Sequence, residues 1–190
     1  MPMITVDYPE RALSQGQKDE LAEEMTHVLL EIEGGADTPE GRSIAWVRFR
    51  EIAASDWYIG GTTDAKYVSA AGKFLIELNV PEGSMNQIQK SDAHRAINEA
   101  FLRVTGTAGK KGAGRSVWIQ IFEWPEGHLG TSGRTASLLG IAKLTGKTAD
   151  HPELAFSRAY FDAKDHWYEA HDYPKEASGR ALIRYRAAEQ

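Results

Sequence analysis

The sequence predicts an α+β fold in which two tandem β-α-β units form a four-stranded sheet with two helices on one face, followed by a helical C-terminal extension. Three observations carry this prediction. The chain matches itself at a shift of 72 residues: ITVDYPE at 4–10 falls on IELNVPE at 76–82, and EIAASDWYIGG at 51–61 falls on EWPEGHLGTSG at 123–133. Each copy contains one amphipathic stripe of helical period. After each stripe comes a short run in which residues alternate between two faces.

The first strand is ITVDYPE, which follows almost directly on Met1-Pro2. A Ser14-x-x-Gln17 capping box opens the first helix, because each side chain can satisfy the other residue's free amide. Leu21, Met25, Val28, Leu29 and Ile32 form its buried stripe, and Gly34-Gly35 ends it. GGADTPEGR at 34–42 reads as a flexible connector. In the strand that follows, Ala45, Val47 and Phe49 face one way while Trp46, Arg48 and Arg50 face the other.

The second copy repeats this order. Its strand is followed by a Ser84-x-x-Gln87 box, 70 residues after the first, and by the stripe Ala93, Ile97, Ala100, Phe101 and Val104, ending at Gly106. TAGKKGAGR at 107–115 lacks the phosphate-loop spacing and runs from helix into strand, so it too reads as a flexible connector. In VWIQIF, Val117, Ile119 and Ile121 oppose Trp118, Gln120 and Phe122. Helical crossovers make the two strands of each unit parallel and right-handed. The outward mix of tryptophan, phenylalanine and arginine predicts burial against other subunits.

The expected organisation is a duplicated domain at 1–135, with unit one at 1–62 and unit two at 73–135, and a helical extension at 136–190. ASLLGIAKL begins a short helix or strand. Phe156, Tyr160, Ala163, Trp167 and Ala170 mark the apolar stripe of a helix lying between Pro152 and Pro174, and the last sixteen residues read as a frayed helix or tail. The extension is expected to cap the functional site or to bind a neighbouring subunit, with Trp167 and Tyr168 as its contacts.

Composition narrows the chemistry. The 190 residues are 42% hydrophobic, enough for a real core, and no run approaches the roughly 18 apolar residues of a membrane span. The N-terminus has neither the basic start nor the apolar stretch of a secretory signal, so a soluble cytoplasmic protein is expected. With no cysteine, disulfides and thiol nucleophiles are excluded. A net charge of −5 disfavours nucleic acid and anionic membrane as partners. The six histidines show no ligand spacing, and no cofactor fingerprint occurs, so neither metal nor cofactor is expected.

Pro2 is the singular chemical feature. If Met1 is removed, Pro2 carries a secondary amine, which no other residue type supplies at a chain terminus. Proline at position 2, the order strand, capped helix, strand, the ending EIAASDWYIGG and the tandem repeat together resemble the tautomerase superfamily, which includes 4-oxalocrotonate tautomerase and macrophage migration inhibitory factor. The resemblance covers residues 2 to about 134.

It implies a homotrimer whose three sheets close into a barrel with the helices outside, and a mechanism in which the proline nitrogen moves the proton. Phe74 stands at the position matching Pro2, so one site per chain is implied. An ordinary α-amino group titrates near 7.7 to 8, and desolvation lowers that value, leaving a neutral amine suited to be a general base near pH 7. The implied reaction is keto-enol or double-bond isomerisation of a small 2-oxo acid. The substrate-binding candidates are Arg48, Arg50 and Arg11, with Trp57 as a hydrophobic wall. Trp46 and Trp118, which stand where 4-oxalocrotonate tautomerase has its strand arginine, complete the six substrate-binding candidates.

Two alternatives stay open. The superfamily also contains hydrolytic dehalogenases and decarboxylases in which a protonated proline works with an arginine pair and a carboxylate. Here NVPEGSM lacks the arginines and GHLGTSGR lacks the acid, so Asp37 or Glu40 would have to reach Pro2. The other alternative is an inactive binding or scaffold trimer, favoured if Met1 is retained.

Overall fold

The computed structural model describes residues 2–33, 37–176 and 179–180. Strand β1 (Met3–Pro9) leads into helix α1 (Gln15–Glu33), a short helix α2 (Pro39–Ile44) and strand β2 (Trp46–Ile52). The second unit repeats the order with β3 (Phe74–Pro81), α3 (Gln87–Val104) and β4 (Val117–Trp124). The sheet order is β2-β1-β3-β4. Each unit's own strands are parallel, and the units meet antiparallel through β1 and β3. Met3 lies opposite Asn79 and Asp7 opposite Leu75, so the start of β1 sits beside the end of β3.

The 72-residue shift governs the structure more closely than the sequence motifs suggest. Helices α1 and α3 begin at Gln15 and Gln87, and their caps are Ser14 and Asn86, both pairs 72 apart. The expected box at Ser84 and Gln87 is therefore corrected. Asn86 Oδ1 accepts from the Gln89 amide at 2.9 Å, and Gln89 Oε1 accepts from the Asn86 amide at 2.9 Å. Ser84 instead donates its hydroxyl to the Pro81 carbonyl at 2.7 Å, closing the turn after β3. The Ser14–Gln17 box forms as expected, at 3.0 and 3.3 Å.

The core lies between the sheet and the two long helices. Ile4, Val6, Ile76, Leu78 and Val80 of the central strands meet Leu21, Met25, Leu29, Ile97 and Phe101 of the helices, all fully buried. Each such side chain contributes about 1.5–3 kcal/mol relative to exposure, so the apolar alternation and the helical stripes together fix the register. Phe74 packs on Phe101 with ring centroids 4.4 Å apart. The opposite sheet face is open in the single chain: Trp46 is 52% exposed and Trp118 67%.

Both loops expected to be flexible connectors contain ordered turns. Thr38 caps α2 by accepting from the Gly41 amide at 3.1 Å, and Pro39 supplies its first turn. In the second unit a 3₁₀ turn spans Ala113–Ser116, where the Ser116 hydroxyl donates to the Gly72 carbonyl at 2.7 Å. Hydroxyl-to-backbone hydrogen bonds, invisible to residue composition, form these turns.

A small hairpin, β5 (Gly130–Thr131) and β6 (Arg134–Thr135), ends the second unit, and the extension forms α4 (Leu138–Leu144), a 3₁₀ turn at Pro152–Leu154 and α5 (Ala155–Ala170). The expected buried stripe of α5 is corrected. Leu154, Ser157, Phe161 and Asp165 turn inward, whereas Phe156 and Trp167 are 38% and 56% exposed. The rotation follows from polar anchoring: the Glu82 carboxylate beyond β3 holds Tyr160 and Lys164, fixing which edge of the helix meets the body. Met1, Gly34-Gly35 and much of the last sixteen residues lie outside the described residues. Among the described residues no helix is long and apolar enough to cross a membrane, and no group of histidine and carboxylate residues could hold a metal.

Candidate active site

Pro2 is buried at the start of β1. Strand alternation places it on the side of Ile4, Val6 and Tyr8, the helix-covered face. The antiparallel pairing of β1 with β3 brings Val80 and Pro81 beside it. Together they border a cavity of about 350 Å³ whose remaining walls come from the end of α1 at Ile32 and, above all, from the extension. Leu138, Ile141 and Ala142 of α4 supply apolar wall; Lys147, Glu153 and Ser157 supply polar groups. Of the two placements expected for the extension, the one over the site is found: it roofs the Pro2 cavity of its own chain.

Two buried carboxylates hold the roof. Glu82 accepts both from Lys164 Nζ, at 2.6 Å to each oxygen, and from the Tyr160 hydroxyl at 3.2 Å. It also accepts from the Glu126 amide at 2.8 Å. Glu126 in turn accepts from the Leu138 amide at the first turn of α4, at 3.1 and 3.3 Å. Burial pushes the Lys164 ammonium down, but its hydrogen bond to Glu82 and the carboxylate's charge outweigh that and leave it above the usual lysine value. Burial and the nearby Glu82 charge raise the Tyr160 phenol.

The pseudo-symmetry explains why this end of the sheet differs from the other. Position 74, equivalent to Pro2, is filled by Phe74, packed at 2% exposure. Position 83, equivalent to Arg11, is Gly83; both have left-handed backbone, at φ 70° and 63°. A Cβ at Gly83 would lie 2.5 Å from the Tyr160 ring, so the room an arginine would need belongs to α5.

None of the six substrate-binding candidates lines the Pro2 cavity of its own chain. Arg48 donates to Thr5 Oγ1 at 3.0 Å on the open sheet face. Arg50 on the same face binds Asp7 at 2.6 and 2.8 Å and Glu77 at 3.2 Å. The Asp7 hydrogen bond raises the Arg50 pKa, though burial opposes it, and the guanidinium stays charged. Trp46 also lies there, its indole donating to the Ser43 carbonyl at 3.2 Å, whereas Trp118 sits on the far edge strand. Arg11 and Trp57 follow the ends of β1 and β2, a strand length of about 20 Å from Pro2 at ~3.3 Å per residue. Asp37 is held by Arg42 at 2.5 Å, and neither it nor Glu40 borders the cavity.

Sequence reasoning missed Lys147, Glu153 and Glu82. Applying the 72-residue shift to Arg11 would have exposed Gly83. The Gly146 that follows α4 was a readable helix stop placing Lys147 just beyond it.

No family model and no curated protein matches the chain. Solved structures do. Native fused 4-OT matches with a TM-score of 0.57 at 19% identity, over 76% of this chain and 99% of that one. N1, a member of the cis-3-chloroacrylic acid dehalogenase family, gives 0.56 at 17% identity, over 90% and 99% respectively. Macrophage migration inhibitory factor of Toxoplasma gondii gives 0.53 at 13% identity, over 70% and 99%. The chain shares the fold of these solved structures.

Proposed function

We propose that the protein is an isomerase of the tautomerase type in which Pro2, freed by removal of Met1, is the general base for keto-enol or double-bond isomerisation of a small 2-oxo acid. The observation that carries this reading is the burial of Pro2 beside a cavity of about 350 Å³ with both apolar and polar walls, while its counterpart Phe74 is packed solid. Desolvation by Val80, Pro81, Leu138 and Ile141 favours the neutral amine. The amine removes a proton from the carbon next to the carbonyl, the bonding pair shifts toward the carbonyl oxygen, and the protonated amine returns the proton to another atom of the conjugated system. A positioned base of this kind contributes typically 10²–10⁴-fold.

A homotrimer fits the same reading. Fused 4-OT relatives of this fold are described as trimers, and the open face bearing Trp46, Trp118 and Phe122 supplies the apolar surface that closure would cover. Arg11, Arg48, Arg50 and Trp57 would then serve a Pro2 site only across a subunit boundary. Substitution of Pro2 by Ala should abolish tautomerisation of phenylpyruvate with the assembly unchanged, and wild-type activity should rise with pH through a group at or below about 7.7. Activity surviving that substitution, or an intact mass that retains Met1 in active protein, would sink the proposal.

A hydrolytic reaction is the second reading. It is favoured by the likeness to the dehalogenase-family structure over 90% of this chain and by the carboxylates of Glu31 and Glu153 on the cavity wall. It requires a protonated Pro2 and predicts a profile that falls over the same pH range.

A further inference from the structure

The geometry points to Lys147, carried by the C-terminal extension, as the cation that binds the carboxylate of the ligand in the Pro2 cavity, with Glu153 as the carboxylate the ligand displaces. The inference rests on the 2-oxo acid reading above and names the group which that reading leaves unassigned. Pro2 chemistry on an acid needs a positive charge beside it, both to hold the carboxylate and to offset the charge that develops on the carbonyl oxygen. The arginines expected to supply it face elsewhere, and Gly83 occupies the place equivalent to Arg11. Among the described residues lining the cavity, Lys147 is the one cationic side chain.

Its placement is built into the local backbone. Helix α4 ends in a Schellman turn: Gly146, at φ 78°, donates to the Lys143 carbonyl at 3.1 Å, and the Lys147 amide donates to the Ala142 carbonyl at 3.0 Å. That turn reverses the chain directly beneath the helix, so Lys147 and Ala142 border the same cavity. Only 9% of the Lys147 side chain is exposed, which takes its stem out of solvent.

The ammonium meets Glu153 Oε2 at 2.7 Å, and the Glu153 side chain is 54% exposed. The arrangement is asymmetric: a sequestered cation is paired with a carboxylate that has ready access to water. An arriving carboxylate can take the inner partner's place while Glu153 swings into solvent at little desolvation cost. Hydrogen bonding from Lys147 keeps the Glu153 carboxyl below the usual glutamate range, so it is ionised and competes with the ligand at neutral pH.

The test separates binding from turnover. Phenylglyoxylate is a 2-oxo acid with no proton on the carbon beyond its carbonyl, so it can bind without tautomerising; its methyl ester lacks the charge. Titration calorimetry should show Lys147→Met weakening phenylglyoxylate at least tenfold while leaving the ester unchanged. Lys147→Arg should retain affinity within a few-fold, and Glu153→Gln should bind the acid several-fold more tightly than wild type. A merely structural lysine would not produce tighter binding in Glu153→Gln. Unchanged acid affinity in both Lys147→Met and Glu153→Gln overturns the inference even if phenylpyruvate turnover depends on Pro2. Charge-selective binding that follows Lys147 in a protein with no Pro2-dependent turnover supports the anion site and overturns the proton-transfer reading instead.

Discussion

Replacing Glu82 with alanine removes the anchor by which the extension is held over the cavity. The carboxylate, 11% exposed, accepts from Lys164, Tyr160 and the Glu126 amide, and Lys164 is itself only 19% exposed. Breaking a buried pair by deleting one partner costs about 3–5 kcal/mol, and the residual access of Lys164 to water places this case near the lower bound, about 3 kcal/mol. If the extension unfolds together with the sheet, Tm falls by about 6–12 °C, at ~2–4 °C per kcal/mol for a chain of this size. If it opens alone, the sheet keeps its Tm and the α5 amides lose about 100-fold protection, at ~1.4 kcal/mol per tenfold. Calorimetry combined with hydrogen exchange over residues 155–170 distinguishes the two. A Tm change under about 2 °C with α5 protection intact would refute the reasoning, because the anchor would then carry no load.

Three more expectations are accessible to simple measurements. Because the Lys164 pKa is raised in the folded state, its contribution is complete below the ordinary lysine value of 10.5 and is lost only as pH climbs through the higher folded value. Exchange at α5 should therefore stay protected through neutral and mildly alkaline solution and increase in strong alkali. Gly83→Ala should destabilise by more than the about 1–2 kcal/mol of the left-handed backbone alone, since its Cβ meets Tyr160. Gly106→Ala, at φ 67° with nothing within 4 Å, provides the comparison, and equal losses would count against the Tyr160 contact. Trp118→Glu on the open sheet face should reduce the mass seen by light scattering toward the 21.0 kDa of one chain; an unchanged assembly would show that this face is not the interface.

The fold was largely legible because both its signals are local. Helical stripes such as Ala93, Ile97, Ala100, Phe101 and Val104 coincide with the buried face of α3, and the strand alternation correctly separates Val117 from Trp118. The second helix cap was misplaced because Ser84 and Asn86 are both competent caps. What decides between them is the turn after β3, where the Ser84 hydroxyl is already engaged by Pro81. The facing of α5 was missed because hydrophobic periodicity ranks Phe156 and Trp167 above Ser157 and Asp165. Pairing with Glu82, 82 residues away in sequence, overrides that ranking. Pro2 could be proposed from its chemistry alone. Lys147 could not be, because it meets the Pro2 cavity only through a roof whose docking no local pattern encodes.

The duplication gives this molecule an internal reference. The β-α-β elements that follow Pro2 recur 72 positions away after Phe74, a residue that is packed into the core rather than bordering the Pro2 cavity. Spectroscopic or exchange differences between paired sites such as Ile4 and Ile76 thus cancel what the shared scaffold contributes. What survives the subtraction belongs to Pro2, its cavity and the segment that encloses them.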